Sequence, residues 1–224
     1  MPPKPSCAIA VANSKGGTGK STLIANLAVQ AVHDKGRVAL LDYDPQQSLA
    51  RWWELRAEVL NPRLWKGGDG ARVDVPELKA HGTEWIFMDL PPATMHLVEA
   101  GISAADFVLI PVKASPVDLE AVDPIIELCE SFHKPFVFVL MMFDKGWKLS
   151  ATAAPFLEEK APGRVLKEYV SYKPCYVGSM AAGMTGPEYN GDKKQREAAA
   201  DEIAALWKAI KKRALASMRV PAGE

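Results

Sequence analysis

Cys7-Ala-Ile-Ala-Val-Ala-Asn-Ser-Lys-Gly-Gly-Thr-Gly-Lys-Ser-Thr22 is the stretch that decides the fold of this chain. The apolar run 7–12 reads as a buried strand, and 20–33 reads as a helix with Gly36 just past its end. Between them lies a glycine-rich turn. Phosphate groups need many donors converging on one concavity, and successive backbone N–H groups at a helix N-terminus supply them. Gly16, Gly17 and Gly19 let the backbone bend around such a group with no Cβ in the way. Lys20 is then placed to reach the β- and γ-phosphates, and the Ser21 hydroxyl to ligate Mg2+. Ser14 stands where the usual spacing has its first glycine, but a strand before and a helix after outweigh that departure. The stretch predicts nucleotide binding.

The alternation continues outward. Short apolar runs recur at 37–42, 85–89, 107–112 and 136–141, with a further strand near 164–170. Helices are expected at 48–59, 75–81, 96–103, 116–132 and 150–160. A long helix over 192–217 carries Ile203, Leu206, Trp207, Ile210 and Ala214 on one face, which is core spacing. Continuous apolar strands separated by helices imply one doubly wound α/β domain, a mostly parallel sheet with helices on both faces. It is expected to span 1–224 with flexible ends at 1–5 and 219–224, and Gly67-Gly68-Asp69-Gly70 reads as a loop within it.

Charge and cysteine content narrow the class. Twenty-seven Lys+Arg balance 27 Asp+Glu, so nucleic-acid binding has to come from a local basic patch. The longest apolar run, 136–143, is too short to span a bilayer, and 7–12 is too short for a secretory segment. Three widely spaced cysteines (Cys7, Cys129, Cys175) argue against a disulfide framework, a zinc site or an iron–sulfur cluster. His33, His81, His96 and His133 show no metal spacing either. A reduced, cytoplasmic protein is expected.

Acids complete the candidate site. Asp42 and Asp44, in Leu41-Asp-Tyr-Asp-Pro-Gln-Gln47, fall at the carboxyl end of the second strand, the edge where open α/β sheets bind ligands. Two residues apart on an extended segment, they point the same way. Asp89 ends another apolar strand, before Leu90-Pro91-Pro92, and reaches the same edge. Three carboxylates beside a triphosphate imply an intervening Mg2+.

Together these residues resemble the deviant Walker P-loop ATPases of the ParA/MinD type. The resemblance rests on Lys15-Gly-Gly-Thr-Gly-Lys-Ser-Thr22, on Asp42 to Gln46, on Asp89-Leu-Pro-Pro92, and on Pro111-Val-Lys-Ala-Ser-Pro-Val-Asp118. Lys113 departs from the polar, often Gln-like residue of that last motif. The resemblance implies ATP sandwiched between two subunits of a homodimer, with Lys15 of one contacting the phosphates held by the other. It further implies that Lys20 acts in cis, that Gly16 to Gly19, with Thr18, cradle the phosphates, and that Thr22 lies near the α-phosphate. Ser21 would bind Mg2+, Asp42 and Asp89 would support the metal through water, and Asp44 would position the attacking water. The implied activity is weak ATP hydrolysis, stimulated by a ParB-like or other adaptor that loads a plasmid, chromosome region or protein cargo.

Short partition ATPases of this kind bind DNA without sequence preference as ATP dimers, associating with the nucleoid. Lys193, Lys194, Arg196, Lys208, Lys211, Lys212 and Arg213 are the candidate contacts, although Glu197, Asp201 and Glu202 partly offset them and a solvated helix face has the same signature. A MinD-like membrane helix over 206–218 is the alternative, weakened because few bulky apolar residues follow Arg213. A dethiobiotin-synthetase-like ligase is a second alternative, which Lys15 and the Asp42–Gln46 segment disfavour. Trp52, Trp53 and Arg56 read as a dimer or partner contact, with at least one of the tryptophans in the core, and Phe143 and Asp144 as the border of the base pocket.

Overall fold

The structure is a computed structural model that describes residues 5–56, 61–65, 70–189 and 192–219. Its strands are β1 (Cys7–Val11), β2 (Val38–Asp42), β3 (Arg63–Leu64), β4 (Trp85–Asp89), β5 (Phe107–Lys113), β6 (Phe136–Phe143) and β7 (Val165–Ser171). They form one seven-stranded sheet in the order β3-β2-β4-β1-β5-β6-β7, parallel at every pairing. The helices are α1 (Lys20–His33), α2 (Ser48–Leu55), α3 (Ala71–Ala80), α4 (Met95–Ala104), α5 (Pro116–Glu120), α6 (Asp123–Ser131), α7 (Lys148–Lys160), α8 (Pro174–Ala181) and α9 (Lys193–Ser217).

The strand period of two sorts β1 between two cores. Cys7, Ile9 and Val11 pack with α1, α2, α8 and α9, whereas Ala8, Ala10 and Ala12 face α3, α4, α6 and α7. Both faces are covered, so the strands read as unbroken apolar runs. Ile203, Leu206, Trp207, Ile210 and Ala214 are buried as the spacing of α9 predicts. Trp207 stands edge-on to Trp85 at 4.7 Å between ring centres and donates its Nε1–H to Asp34 at 3.0 Å. That stripe belongs to the core, which removes the apolar face on which a membrane helix over 206–218 would depend. Among the described residues no helix is long and apolar enough to cross a membrane.

Several boundaries differ from expectation. The helix expected over 116–132 is two helices, with Pro124 in the first turn of α6, where a missing N–H is tolerated. The break leaves the Ala121 carbonyl free to accept the Ser14 hydroxyl, and this ties the phosphate loop to α5. Strand β3 and helix α8 were not foreseen. Helix α2 stops at Leu55 with Arg56 as its C-cap, and α3 starts at Ala71 rather than at 75. The expected extension of α2 over 57–59, the loop residues 67–69 and the expected flexible ends at 1–4 and 220–224 lie outside the described residues.

Register places the site. Val11, Asp89 and Asp42 lie in one row across β1, β4 and β2, so both acids reach the carboxyl edge beside the loop that leaves β1.

Candidate functional site

The loop after β1 is held from below by Asn13, which is 1% exposed. Its Nδ2 donates to the Pro111 carbonyl at 2.8 Å, and its Oδ1 accepts the Lys15 N–H at 2.8 Å. Gly17 and Gly19 have φ of 72° and 93°, a region that side chains disfavour. A Cβ at Gly16 or Gly17 would meet nothing within 4 Å, so the space above the loop is open to a ligand. Helix α1 has no side-chain N-cap and no acid in its first turn. Its orphan N–H groups therefore face that space with no internal acceptor.

Lys20 is 5% exposed. Burial lowers its pKa from the usual lysine range, while Asp89 and Asp44 act to raise it. Ser21 Oγ donates to Asp89 Oδ2 at 2.5 Å. Asp89 is fully buried, and its Oδ1 lacks a hydrogen-bond partner among the described residues. Burial pushes its carboxyl up to about 7, against the pull of Ser21 and with Asp42 adding to the shift. An anion seated on the helix N-terminus together with a cation beside Asp89 answers both the uncapped helix and the orphaned oxygen. Nucleotide and Mg2+ thus fit the residues present. Thr18, 1% exposed, has a hydroxyl in the same partnerless condition.

The three acids take different positions. Asp42 Oδ2 accepts the Ala50 N–H at 2.9 Å and Oδ1 the Asp44 N–H at 3.1 Å, so it caps α2 and shapes the turn. Burial raises its pKa, partly offset by those backbone donors. Asp44 accepts the Gln46 N–H at 2.9 Å and lines a cleft of about 400 Å³ with Gly16, Gly17, Lys20, Ser21 and Thr22. Among the described residues no group of three or more His, Cys, Asp or Glu could hold a metal ion. A divalent cation could therefore use the Ser21 hydroxyl, backed by Asp89, with phosphate oxygens and water.

Lys15 does not line that cleft. Its Nζ lies 3.1 Å from Asp118 Oδ1, with 39% of the lysine side chain exposed. Asp118 is held in turn by the Ser115 hydroxyl. The proline/serine motif thus reaches the phosphate loop through this pair.

Sequence reading missed a second cavity. About 250 Å³ in size, it adjoins Gly19 and Thr22 and is lined by Met141, Met142, Val170, Tyr172 and Tyr176 among others. Met142 sits at its junction with the phosphate cleft, with φ of 53°. Phe143 and Asp144 do not line it: Phe143 packs on Tyr169 at 4.4 Å, and Asp144 Oδ1 accepts the Gly146 N–H. The expected dimer or partner contact also turns inward. Trp52 is 1% exposed and donates to the Met184 carbonyl, Trp53 donates to that of Pro62, and Arg56 forms a double hydrogen bond with Glu188. Also unforeseen was Tyr43, whose hydroxyl donates to the buried Asp74 at 2.9 Å. Its position between two site acids was the available signal.

The basic residues of α9 divide. Lys193, Lys194 and Arg196 sit at its start, with Lys193 3.8 Å from Glu197. Lys208, Lys211 and Lys212 lie four turns on and line a groove of about 420 Å³ with Gln30, Asp34 and Trp207. Lys211 pairs with Asp34 at 3.0 Å, and Arg213 donates to the Gly163 carbonyl at 2.6 Å.

Over 130 residues the chain is 35% identical to maintenance of carboxysome distribution protein A from Halothiobacillus neapolitanus, covering 56% of this chain and 59% of that protein. It is 30% identical over 143 residues to the chromosome-partitioning ATPase Soj of Thermus thermophilus, covering 51% and 57%. These matches span little more than half the length of either relative. The ATP complex of an McdA variant from Cyanothece superposes with a TM-score of 0.74 at 20% identity, over 95% of this chain and 97% of that one, and so shares the fold. Residues 9–186 match the model of the CobQ/CobB/MinD/ParA nucleotide binding domain, and the chain belongs to that family.

Proposed function

We propose that this protein is an ATP-driven switch of the ParA type, a single domain that dimerises around bound ATP and hydrolyses it slowly. The observation that carries the reading is the division of labour between two lysines on one loop. Lys20 is buried under the cleft, whereas Lys15 lies outside it, half exposed, on Asp118. A cation so placed is poised for phosphates held by another chain. Charge spreading over the phosphoryl oxygens during transfer would make such a second lysine stabilising in the transition state.

In this reading Gly16 to Thr22 bind the phosphates, and the apolar cavity beside Gly19 and Thr22 takes the base. Asp44 orients the attacking water from the cleft wall. Mg2+, when bound, neutralises phosphate charge, and Ser21 and Asp89 hold it. Asp42 acts through the turn that carries Asp44, rather than by direct ligation.

The ATP dimer would bind DNA without sequence preference through Lys208, Lys211, Lys212 and Arg213, with Lys193, Lys194 and Arg196 as a second patch. It would act in the cytoplasm on the nucleoid, with an adaptor that stimulates hydrolysis and loads a plasmid, chromosome region or protein cargo. The similarity to a carboxysome-distribution protein supports a protein assembly among those cargoes. Dimerisation doubles the patches and raises affinity through effective concentration. The test is fluorescence anisotropy of a random-sequence duplex with ADP or with ATP and Mg2+ over a salt series. Binding with ATP alone, falling steeply with salt, supports the reading; binding in neither state removes the DNA surface.

A further inference from the structure

Glu202 projects from α9, the helix of the candidate DNA surface, yet its carboxylate is 14% exposed and turned toward the nucleotide side of the sheet. Four donors converge on it from one short segment. Oε1 accepts the Ser171 N–H at 3.0 Å and the Tyr176 hydroxyl at 2.8 Å. Oε2 accepts the Ser171 hydroxyl at 2.7 Å and the Lys173 ammonium at 2.7 Å. The Lys173 ammonium also donates to the Ser171 hydroxyl, which closes the network. Burial, and then the adjacent carboxylate, push the Tyr176 hydroxyl pKa upward, so the phenol stays protonated as a donor.

The same three residues, Ser171, Lys173 and Tyr176, line the apolar cavity beside Gly19 and Thr22. This wall is a loop leaving β7 and the first turn of α8, so the sheet fixes only one end of it. Helix α8 has no side-chain N-cap. Apart from Glu202, the wall is held by the Tyr172 N–H to Phe143 carbonyl bond on its β6 side and by burial of Cys175 and Tyr176 in the core, and the polar ends of Ser171 and Lys173 meet in the Glu202 carboxylate. Helix α9 is itself anchored to α1 by Trp207 and Lys211, which both donate to Asp34. The phosphate loop starts α1, so the wall and the loop are referenced to one rigid pair of helices.

We infer that Glu202 is a positioning residue for base recognition: its four hydrogen bonds hold Ser171, Lys173 and Tyr176 as the wall against which the nucleotide's heteroaromatic base packs. The inference rests on the nucleotide reading above and assigns Glu202 no contact with nucleotide. Glu202→Gln keeps the volume but replaces one acceptor by an amide donor and removes the charge that pairs Lys173. The wall loosens, and the phosphate loop, built from other residues, is untouched.

The experiment measures displacement of a ribose-labelled ATP analogue by ATP and by inorganic tripolyphosphate, each with Mg2+, on wild-type and variant full-length chains. For Glu202→Gln the expected result is about tenfold weaker ATP binding with tripolyphosphate unchanged, a difference a general loss of folding does not produce. Equal weakening of both, or unchanged ATP binding, overturns the assignment. Should Glu202→Gln fail to fold, Tyr176→Phe carries the same comparison with an expected loss for ATP of about threefold. A wild-type chain that binds neither ligand overturns the nucleotide reading itself and the assignment with it.

Discussion

The Lys15 ammonium lies 3.1 Å from the Asp118 carboxylate of the same chain, across the rim of a cleft that Lys20 occupies from below. In a dimer that uses Lys15 in trans, this ion pair breaks as the interface forms. The lysine is 39% exposed and the carboxylate 12%, and a pair screened on its lysine side contributes about 0.2–1 kcal/mol. A symmetric dimer breaks two such pairs, so Asp118→Asn favours the ATP dimer by about two- to thirtyfold in dissociation constant, read by sedimentation velocity over a concentration series. A weaker dimer in this variant would mean that Asp118 serves the interface instead.

Tyr43 pins the segment carrying Asp42 and Asp44 to α3 through the buried Asp74, which also lies 3.4 Å from the Trp65 Nε1. Tyr43→Phe removes one donor from a buried carboxylate, at a cost to stability of about 1–2 kcal/mol. Since the hydroxyl touches only the scaffold of Asp44, ATP affinity should stay within twofold while turnover falls several-fold. Equal loss of both would place Tyr43 in binding.

Asp89 is a buried carboxylate with one oxygen unpartnered among the described residues, and burial raises its pKa to about 7. Such a group destabilises the ligand-free fold in exchange for binding a cation. Asp89→Asn is expected to raise the thermal midpoint of the ligand-free protein, by a stability gain on the order of 1 kcal/mol. Mg2+-dependent ATP affinity should fall by about tenfold or more. A variant that is less stable and binds normally would show that the carboxylate is structural.

Glu188 supplies the pH dependence. Burial alone would raise its pKa, but Arg56, in a double hydrogen bond, and the Thr185 N–H outweigh burial and hold it down to about 2. Folding therefore favours the ionised form. Its contribution is fully present above the unfolded value of about 4.3 and is lost as pH falls toward 2. Urea unfolding at pH 6, 4 and 3 should show stability falling over that interval. The fall should be shallower in Glu188→Gln, which starts from lower stability at pH 6.

What the sequence disclosed was what local pattern encodes. The β1 loop announces itself because glycines at fixed offsets are needed wherever a backbone wraps phosphate, and the stripe of α9 because burial imposes a helical period. Strand β3 has two residues, too few for any period to register. The apolar cavity is built from the ends of β6 and β7 and from α8, brought together only by the sheet. Arg56 and Trp52 leave a partner contact and a core role both open in sequence, yet each meets a partner more than 120 residues away. Long-range closure of that kind leaves no local mark, and the same applies to Glu202, which reads as a solvated charge on a mixed helix.

The most direct test of the switch is sedimentation velocity of wild type and Lys15→Ala with ADP and with ATP plus Mg2+. The account predicts one chain in ADP and two in ATP for wild type, and one chain throughout for Lys15→Ala although the variant still binds nucleotide. An ATP-bound dimer that persists in Lys15→Ala would contradict it.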